Sequence, residues 1–207
     1  MFFFVRLDDV NYIESIVMLT SLCENSRTKV EVLIEEQEHN TDVRNMIADV
    51  ANKYDCTIRF EEKINDIPRG YVKLPTNMVI DGDIKDIYEK IILDEENDNI
   101  CNYAIVAVDA HNDGLHYSDI KGKEKIILFR DNRPWQCADV HYDIEKIWWD
   151  YAGKTRVYHQ LMELFLENSM ADTSLEDYAI QLADENEQLA EALKDAKATL
   201  ESFINNL

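Results

Sequence analysis

The stretch Phe2-Phe3-Phe4-Val5-Arg6-Leu7-Asp8-Asp9-Val10-Asn11-Tyr12 carries the first structural signal of this chain. Phe2 to Leu7 is a nearly continuous apolar run, the pattern of a strand buried on both faces of a parallel sheet. Asp8-Asp9-Val10-Asn11 then breaks it with polar side chains. From Tyr12 to Cys23, apolar residues recur at helical spacing, at Ile13, Ile16, Val17, Leu19, Leu22 and Cys23. Glu24-Asn25-Ser26 closes that helix, and Lys29 to Ile34 alternates and branches like a second strand. Thr41 is a suitable N-cap for a second helix whose apolar face is Val43, Met46, Ile47, Val50 and Ala51. Cys56 to Phe60 gives a third short strand. Strands alternating with helices of this length require crossover connections, which are right-handed, and so predict a mainly parallel sheet flanked by helices.

The pattern continues through the middle of the chain. Met78-Val79-Ile80 is a short strand ending at Asp81-Gly82-Asp83, Lys85 to Leu93 a helix, and Tyr103 to Val108 a strongly apolar strand. Residues 109–124 are polar and form a loop, Ile126 to Phe129 is another strand, and a helical stretch runs from about Tyr142 to Glu167. The tail differs in kind. From Ser174 onward it has no Pro or Gly, and one heptad register fits throughout. Leu175, Leu182, Leu189, Ala196 and Phe203 fall at d; Ala179, Asn186, Leu193, Leu200 and Leu207 fall at a. A single polar a position, here Asn186, fixes register and strand number in a coiled coil. The alternative is an amphipathic helix folded back on its own domain. The organisation expected is therefore an α/β domain over residues 1–168 and a coiled-coil helix over 174–207 that forms a homodimer.

Composition narrows the functional classes. With 42 Asp+Glu against 21 Lys+Arg, the formal net charge of −21 repels phosphate backbones and anionic headgroups, so nucleic-acid and membrane-surface binding are not expected. No apolar run reaches the ~20 residues of a membrane helix. Cys23, Cys56, Cys101 and Cys137 show neither CxxC nor paired spacing, which fits reduced thiols in a cytoplasmic protein. Dinucleotide and P-loop glycine motifs, HExxH and GxSxG are all absent.

Four pieces in order carry a resemblance. Phe4-Val5-Arg6-Leu7-Asp8-Asp9-Val10-Asn11-Tyr12, running into Ser21-Leu22-Cys23-Glu24-Asn25, is similar to the opening of the family-eight glycosyltransferases. Gly82-Asp83-Ile84-Lys85-Asp86-Ile87-Tyr88 resembles that family's strand-to-helix step after its metal motif. Lys125-Ile126-Ile127-Leu128-Phe129-Arg130-Asp131-Asn132-Arg133-Pro134-Trp135 resembles its closing motif, and Trp148-Trp149-Asp150-Tyr151-Ala152-Gly153-Lys154-Thr155 with Tyr158 resembles the helix that follows. These are retaining enzymes of the GT-A fold, a Rossmann-like α/β architecture, that use nucleotide-sugar donors. The resemblance implies a UDP-sugar partner, held by Asp8, Asp9, Asn11 and Tyr12, with Arg133 meeting the diphosphate and Trp135 beside it. An acidic and aromatic turn after a first parallel strand also suits such a ligand physically, because open α/β sheets bind ligands at the carboxyl ends of their strands; capping of the first helix is the competing role.

The resemblance also implies Mn²⁺, which neutralises a diphosphate leaving group. Two registers compete. In one, Asp81 and Asp83 are the metal ligands. In the other, Gly82-Asp83-Ile84 is the family's later step and the metal motif falls on Pro75-Thr76-Asn77, without a carboxylate. In either, Leu128 stands where the family has a ligating His; His111 or His116 could stand in for it. The segment 109–124 is also shorter than the family's acceptor-contacting region, and no catalytic residue is identified. Two functions follow: a glycosyltransferase acting in polysaccharide or glycoprotein glycosylation, or a non-catalytic scaffold or regulatory subunit that oligomerises through its coiled coil.

Overall fold

The computed structural model describes residues 1–8, 11–36, 40–94, 100, 106–108, 125–130, 134–136, 144–163, 194 and 197. The chain divides into two compact units, Met1–Met162 and Glu163–Leu207. The heptads of residues 174–207 lie outside the described residues except at Lys194 and Lys197, which are helical and exposed.

In the first unit the predicted β-α-β-α-β order is present: β1 (Phe2–Leu7), α1 (Tyr12–Asn25), β2 (Glu31–Glu36), α2 (Thr41–Tyr54) and β3 (Thr57–Glu61). A short strand not expected from the sequence, β4 (Tyr71–Lys73), joins them. All pairings are parallel and the order is β3-β2-β1-β4, which places β1 inside the sheet. Phe3 and Val5 on one face and Phe4 on the other are all buried, as an interior strand covered on both faces requires. α1 is the central helix, with Ile16, Val17, Met18, Leu19 and Leu22 at 0% exposure.

The N-cap of α2 is Asn40 rather than Thr41. Its side chain accepts from the Asp42 and Val43 backbone N–H groups, which satisfies two of the helix's orphan donors. At the other end Asp55 adopts the left-handed conformation, φ 54°, and ends the helix before β3.

A second sheet has the order β5-β7-β6, built from β5 (Met78–Ile80), β6 (Val106–Val108) and β7 (Ile126–Phe129). β6 and β7 are parallel, whereas β5 is antiparallel to β7. α3 (Lys85–Leu93) follows β5. The long helix expected near Tyr142 to Glu167 is interrupted: α4 (Glu145–Ala152) ends, residues 153–156 turn, and a new helix spans 157–163. A 3-10 turn, Pro134–Gln136, packs against α4. Among the described residues, no helix is long and apolar enough to cross a membrane.

Candidate functional site

The turn leaving β1 is closed by a reciprocal pair. The Asp8 backbone N–H donates to Asn11 Oδ1 and the Asn11 backbone N–H donates to Asp8 Oδ1, each at 2.9 Å. The Ser15 hydroxyl adds a 2.7 Å bond to the Asn11 carbonyl. Asp8 and Asn11 therefore shape the entry into α1, and Asn11 is its N-cap residue. Tyr12 opens the helix, half-buried. Asp9 lies outside the described residues.

The same edge gathers groups from other elements. Glu14, in the first turn of α1 and only 4% exposed, accepts a hydrogen bond from the Thr76 hydroxyl. This bond brings the Pro75-Thr76-Asn77 segment beside the start of α1. Asn77 is fastened in turn to the end of β7, its Nδ2 donating to the Phe129 carbonyl at 2.7 Å while its own carbonyl accepts from Phe129 N–H. At the end of β2, Glu35 accepts from Arg6 Nε at 2.7 Å and from the Ile64 backbone N–H at 3.1 Å. The Ile64 bond first, and the Arg6 guanidinium second, hold its carboxyl below the usual carboxylate range. Glu36 pairs with Arg44, which also stacks over Phe60. The carboxyl edge of the sheet thus carries Asp8, Asn11, Tyr12, Glu14, Thr76 and Asn77, with neighbouring carboxylates that are already paired.

Asp81 and Asp83 are elsewhere. β5 runs along α1 in the direction of α1, from Thr76 beside Glu14 to Ile80 beside Ser21 and Asn25. Its end therefore points away from the edge where β1 ends. Asp81 accepts a 3.1 Å bond from the Tyr151 hydroxyl, which itself accepts from Asn25 Nδ2 at 2.6 Å. Asn25 is the last residue of the 14-residue α1, a helix about 21 Å long, whereas Asp8 and Asn11 adjoin its first turn. Asp83 accepts from the Lys85 N–H at the start of α3. The structure does not bring Asp81 and Asp83 to the edge that carries Asp8, Asn11 and Tyr12. It brings Pro75-Thr76-Asn77 there instead.

Pro75-Thr76-Asn77 offers no carboxylate, and Asp81 accepts from the Tyr151 hydroxyl. Among the described residues, no group of three His, Cys, Asp or Glu side chains is placed to hold a metal ion. Leu128 is buried within β7, opposite Met78. His111 and His116 lie outside the described residues.

Of the closing-motif residues, Arg133 also lies outside them. Trp135 is half-buried, with its ring 5.3 Å from that of Trp148 and tilted by 34°. Trp148 is fully buried and Trp149 stands edge-on to it at 5.0 Å, so this aromatic group is packing rather than a sugar platform. Sequence reasoning missed Glu14, and it named Thr76 only within the Pro75-Thr76-Asn77 register. A polar position on the first turn of an otherwise apolar helix was the available signal for Glu14.

No family model matches the chain, and no curated protein matches it. Among the solved structures that match is the WbbM bifunctional glycosyltransferase in its apo form, with a TM-score of 0.34 and 8% identity, covering 42% of this chain and 20% of that one. This chain spans a fifth of that protein's length.

Proposed function

We propose that this chain is a glycosyltransferase-like protein related to family eight, one that takes the nucleotide of a UDP-sugar at the carboxyl edge of its parallel sheet without a divalent cation and does not itself catalyse transfer. The observation that carries the reading is the Glu14–Thr76 hydrogen bond. It supports the register in which Pro75-Thr76-Asn77, a segment without a carboxylate of its own, stands in the metal motif's place. Leu128 in place of the family's histidine agrees with it. Without a cation, a diphosphate leaving group has no strong Lewis acid to neutralise it, so transfer would be slow even with donor bound. Asp8, Asn11 and Tyr12 remain the nucleotide residues of the proposal, with Asp9, Arg133 and Trp135 completing the set that the resemblance implies.

The test is calorimetric titration of UDP into the full chain, with and without Mn²⁺. Saturable binding whose affinity is the same in both conditions is expected. Tyr12→Ala is expected to weaken it roughly tenfold by removing one aromatic contact worth on the order of 1 kcal/mol. Asp81→Asn is expected to leave it unchanged. Binding that requires Mn²⁺ and is lost in Asp81→Asn would restore the other register, that of a metal-dependent transferase. No heat in either condition would remove the nucleotide from the proposal.

A scaffold or regulatory role needs an assembly, and the heptads of residues 174–207 supply the reason to propose a homodimer. Light scattering at micromolar concentration is expected to report a dimer. Asn186→Leu is expected to raise the thermal midpoint and admit other oligomers, because the buried polar a position specifies two strands at a cost in stability. A monomer would refute the coiled coil.

A further inference from the structure

Acidic residues outnumber Lys and Arg by 42 to 21 in this chain, yet one cleft of the first unit reverses that balance. Its lining includes Lys53, Lys154, Arg156 and His159, with Asp49 the single acidic residue among the described residues that line it. It holds about 290 Å³, the small end of the range for ligand sites. On α2, Met46 and Val50 are one turn apart and both buried, while Asp49 and Lys53 form the adjacent row at the same spacing. Met46, Val50 and the fully buried Thr20 of α1 give the cleft an apolar floor, since the Thr20 hydroxyl already donates to the Ile16 carbonyl at 2.7 Å.

The other wall is the turn after α4. The Gly153 N–H donates to the Trp149 carbonyl at 2.9 Å, the Lys154 N–H to the Tyr151 carbonyl at 3.1 Å, and the Thr155 N–H to the Ala152 carbonyl at 2.9 Å. This wound turn carries Lys154 and Arg156, and His159 follows on the helix 157–163. Lys53 Nζ donates to the Lys154 carbonyl at 3.3 Å and so ties the two walls together.

The basic groups keep donors in reserve. Among the described residues Lys53 has no carboxylate partner. Arg156 Nη2 meets Asp49 Oδ2 at 2.9 Å, but the two side chains are 69% and 50% exposed, and a pair so open to water contributes little. The guanidinium fork has five N–H donors and matches two phosphate oxygens at once. Lys154 is paired with Glu24 at 2.8 Å. Three cations therefore face the two carboxylates Asp49 and Glu24, and His159 adds a ring nitrogen. Donors on both walls suit the three oxygens of a phosphate head, whereas a carboxylate would be met by Arg156 alone.

We propose that this cleft binds a small soluble phosphomonoester, its phosphate held by Arg156 and Lys53 and its apolar part lying on Met46, Val50 and Thr20. The site is separate from the nucleotide edge. Tyr54, on its α2 wall, donates to Glu24 near the end of α1 at 3.0 Å, whereas Asp8 and Asn11 adjoin the first turn of that helix. A phosphomonoester lipid carries the same head, but a formal charge of −21 repels an anionic bilayer while a small ion reaches the cleft.

Phenyl phosphate, a phosphomonoester on a small apolar ring, would be titrated calorimetrically into the full chain. One saturable site is expected, weakened by added salt. Arg156→Gln and Lys53→Gln are each expected to lower the affinity about tenfold, through loss of a charge-assisted bond. Asp49→Asn is expected to raise it roughly threefold by removing the competing carboxylate, a gain that misfolding does not produce. Lys85→Gln removes the same charge from an exposed site on α3 and is expected to change nothing. Absence of saturable binding, no gain in Asp49→Asn, or a loss in Lys85→Gln equal to that in Arg156→Gln would overturn the proposal. Phosphatidylcholine vesicles carrying phosphatidic acid are not expected to sediment the chain; sedimentation without phenyl phosphate binding would give the cleft to a lipid surface instead.

Discussion

Replacing Trp148 with alanine is expected to remove about 3–5 kcal/mol of stability, a large part of the roughly 5–15 kcal/mol that holds a domain together. Trp148 lies on α4, whose inward face is Ile147, Trp148, Tyr151 and Ala152. Its ring is fully buried, packed between Trp135 and Trp149. The indole N–H has no hydrogen-bond partner among the described residues, so what the side chain contributes is volume and apolar area. Truncation to alanine opens a cavity that two neighbouring aromatic rings are too rigid to fill. Trp148→Phe keeps most of that volume and loses no hydrogen bond, so it is expected to cost only about 1–2 kcal/mol. Urea unfolding followed by circular dichroism measures both. A loss below about 1 kcal/mol in Trp148→Ala would mean that the aromatic layer is not packed as described.

Asn25→Ala is expected to cost about 2–3 kcal/mol, the larger figure arising because two buried partners are stranded. The Asn25 Nδ2 group donates to its own helix at the Ser21 carbonyl (2.9 Å), across to the Ile80 carbonyl (2.8 Å), and to the Tyr151 hydroxyl (2.6 Å). One side chain thus ties α1, the end of β5 and α4 together. The Tyr151 hydroxyl passes its proton toward Asp81 at 3.1 Å. Burial above all, reinforced by the Asp81 carboxylate, pushes the Tyr151 hydroxyl up, so it remains a neutral donor. Tyr151→Phe removes the middle of this network, and a double-mutant cycle with Asn25→Ala is expected to give a coupling of about 1 kcal/mol. Additive losses would show that the two side chains act independently. The same measurement bears on Asp81, whose carboxylate accepts from the Tyr151 end of this network.

The local elements were legible because each depends on nearby residues. Phe2–Leu7, Met78–Ile80, Lys85–Leu93 and Ile126–Phe129 coincide with the apolar runs and helical spacing that announce them. The errors are local too. Asn40 outcompetes Thr41 as the cap of α2 because its side chain reaches two N–H groups. Tyr71–Lys73 is too short to show a period, and it forms a strand because β1 offers it an open parallel edge.

The candidate site was legible only in part. Asp8, Asn11 and Tyr12 follow a strand that could only end at the sheet's carboxyl edge, so their position was set as soon as β1 was identified. Asp81 and Asp83 also follow a strand, and an Asp-x-Asp spacing carries no information about that strand's direction. Direction is fixed by pairing between distant segments: β5 lies antiparallel to β7, 48 positions later, and along α1. That pairing sends the two carboxylates to the far end of α1 and leaves Pro75-Thr76-Asn77 beside Glu14.

By itself, the sequence determined the α/β alternation, the interior first strand, the polar turn after it and the heavy negative charge, because each is written in neighbouring residues. Only the tertiary structure decided which end of α1 each carboxylate occupies, because strand direction is set by pairing between residues far apart in the chain.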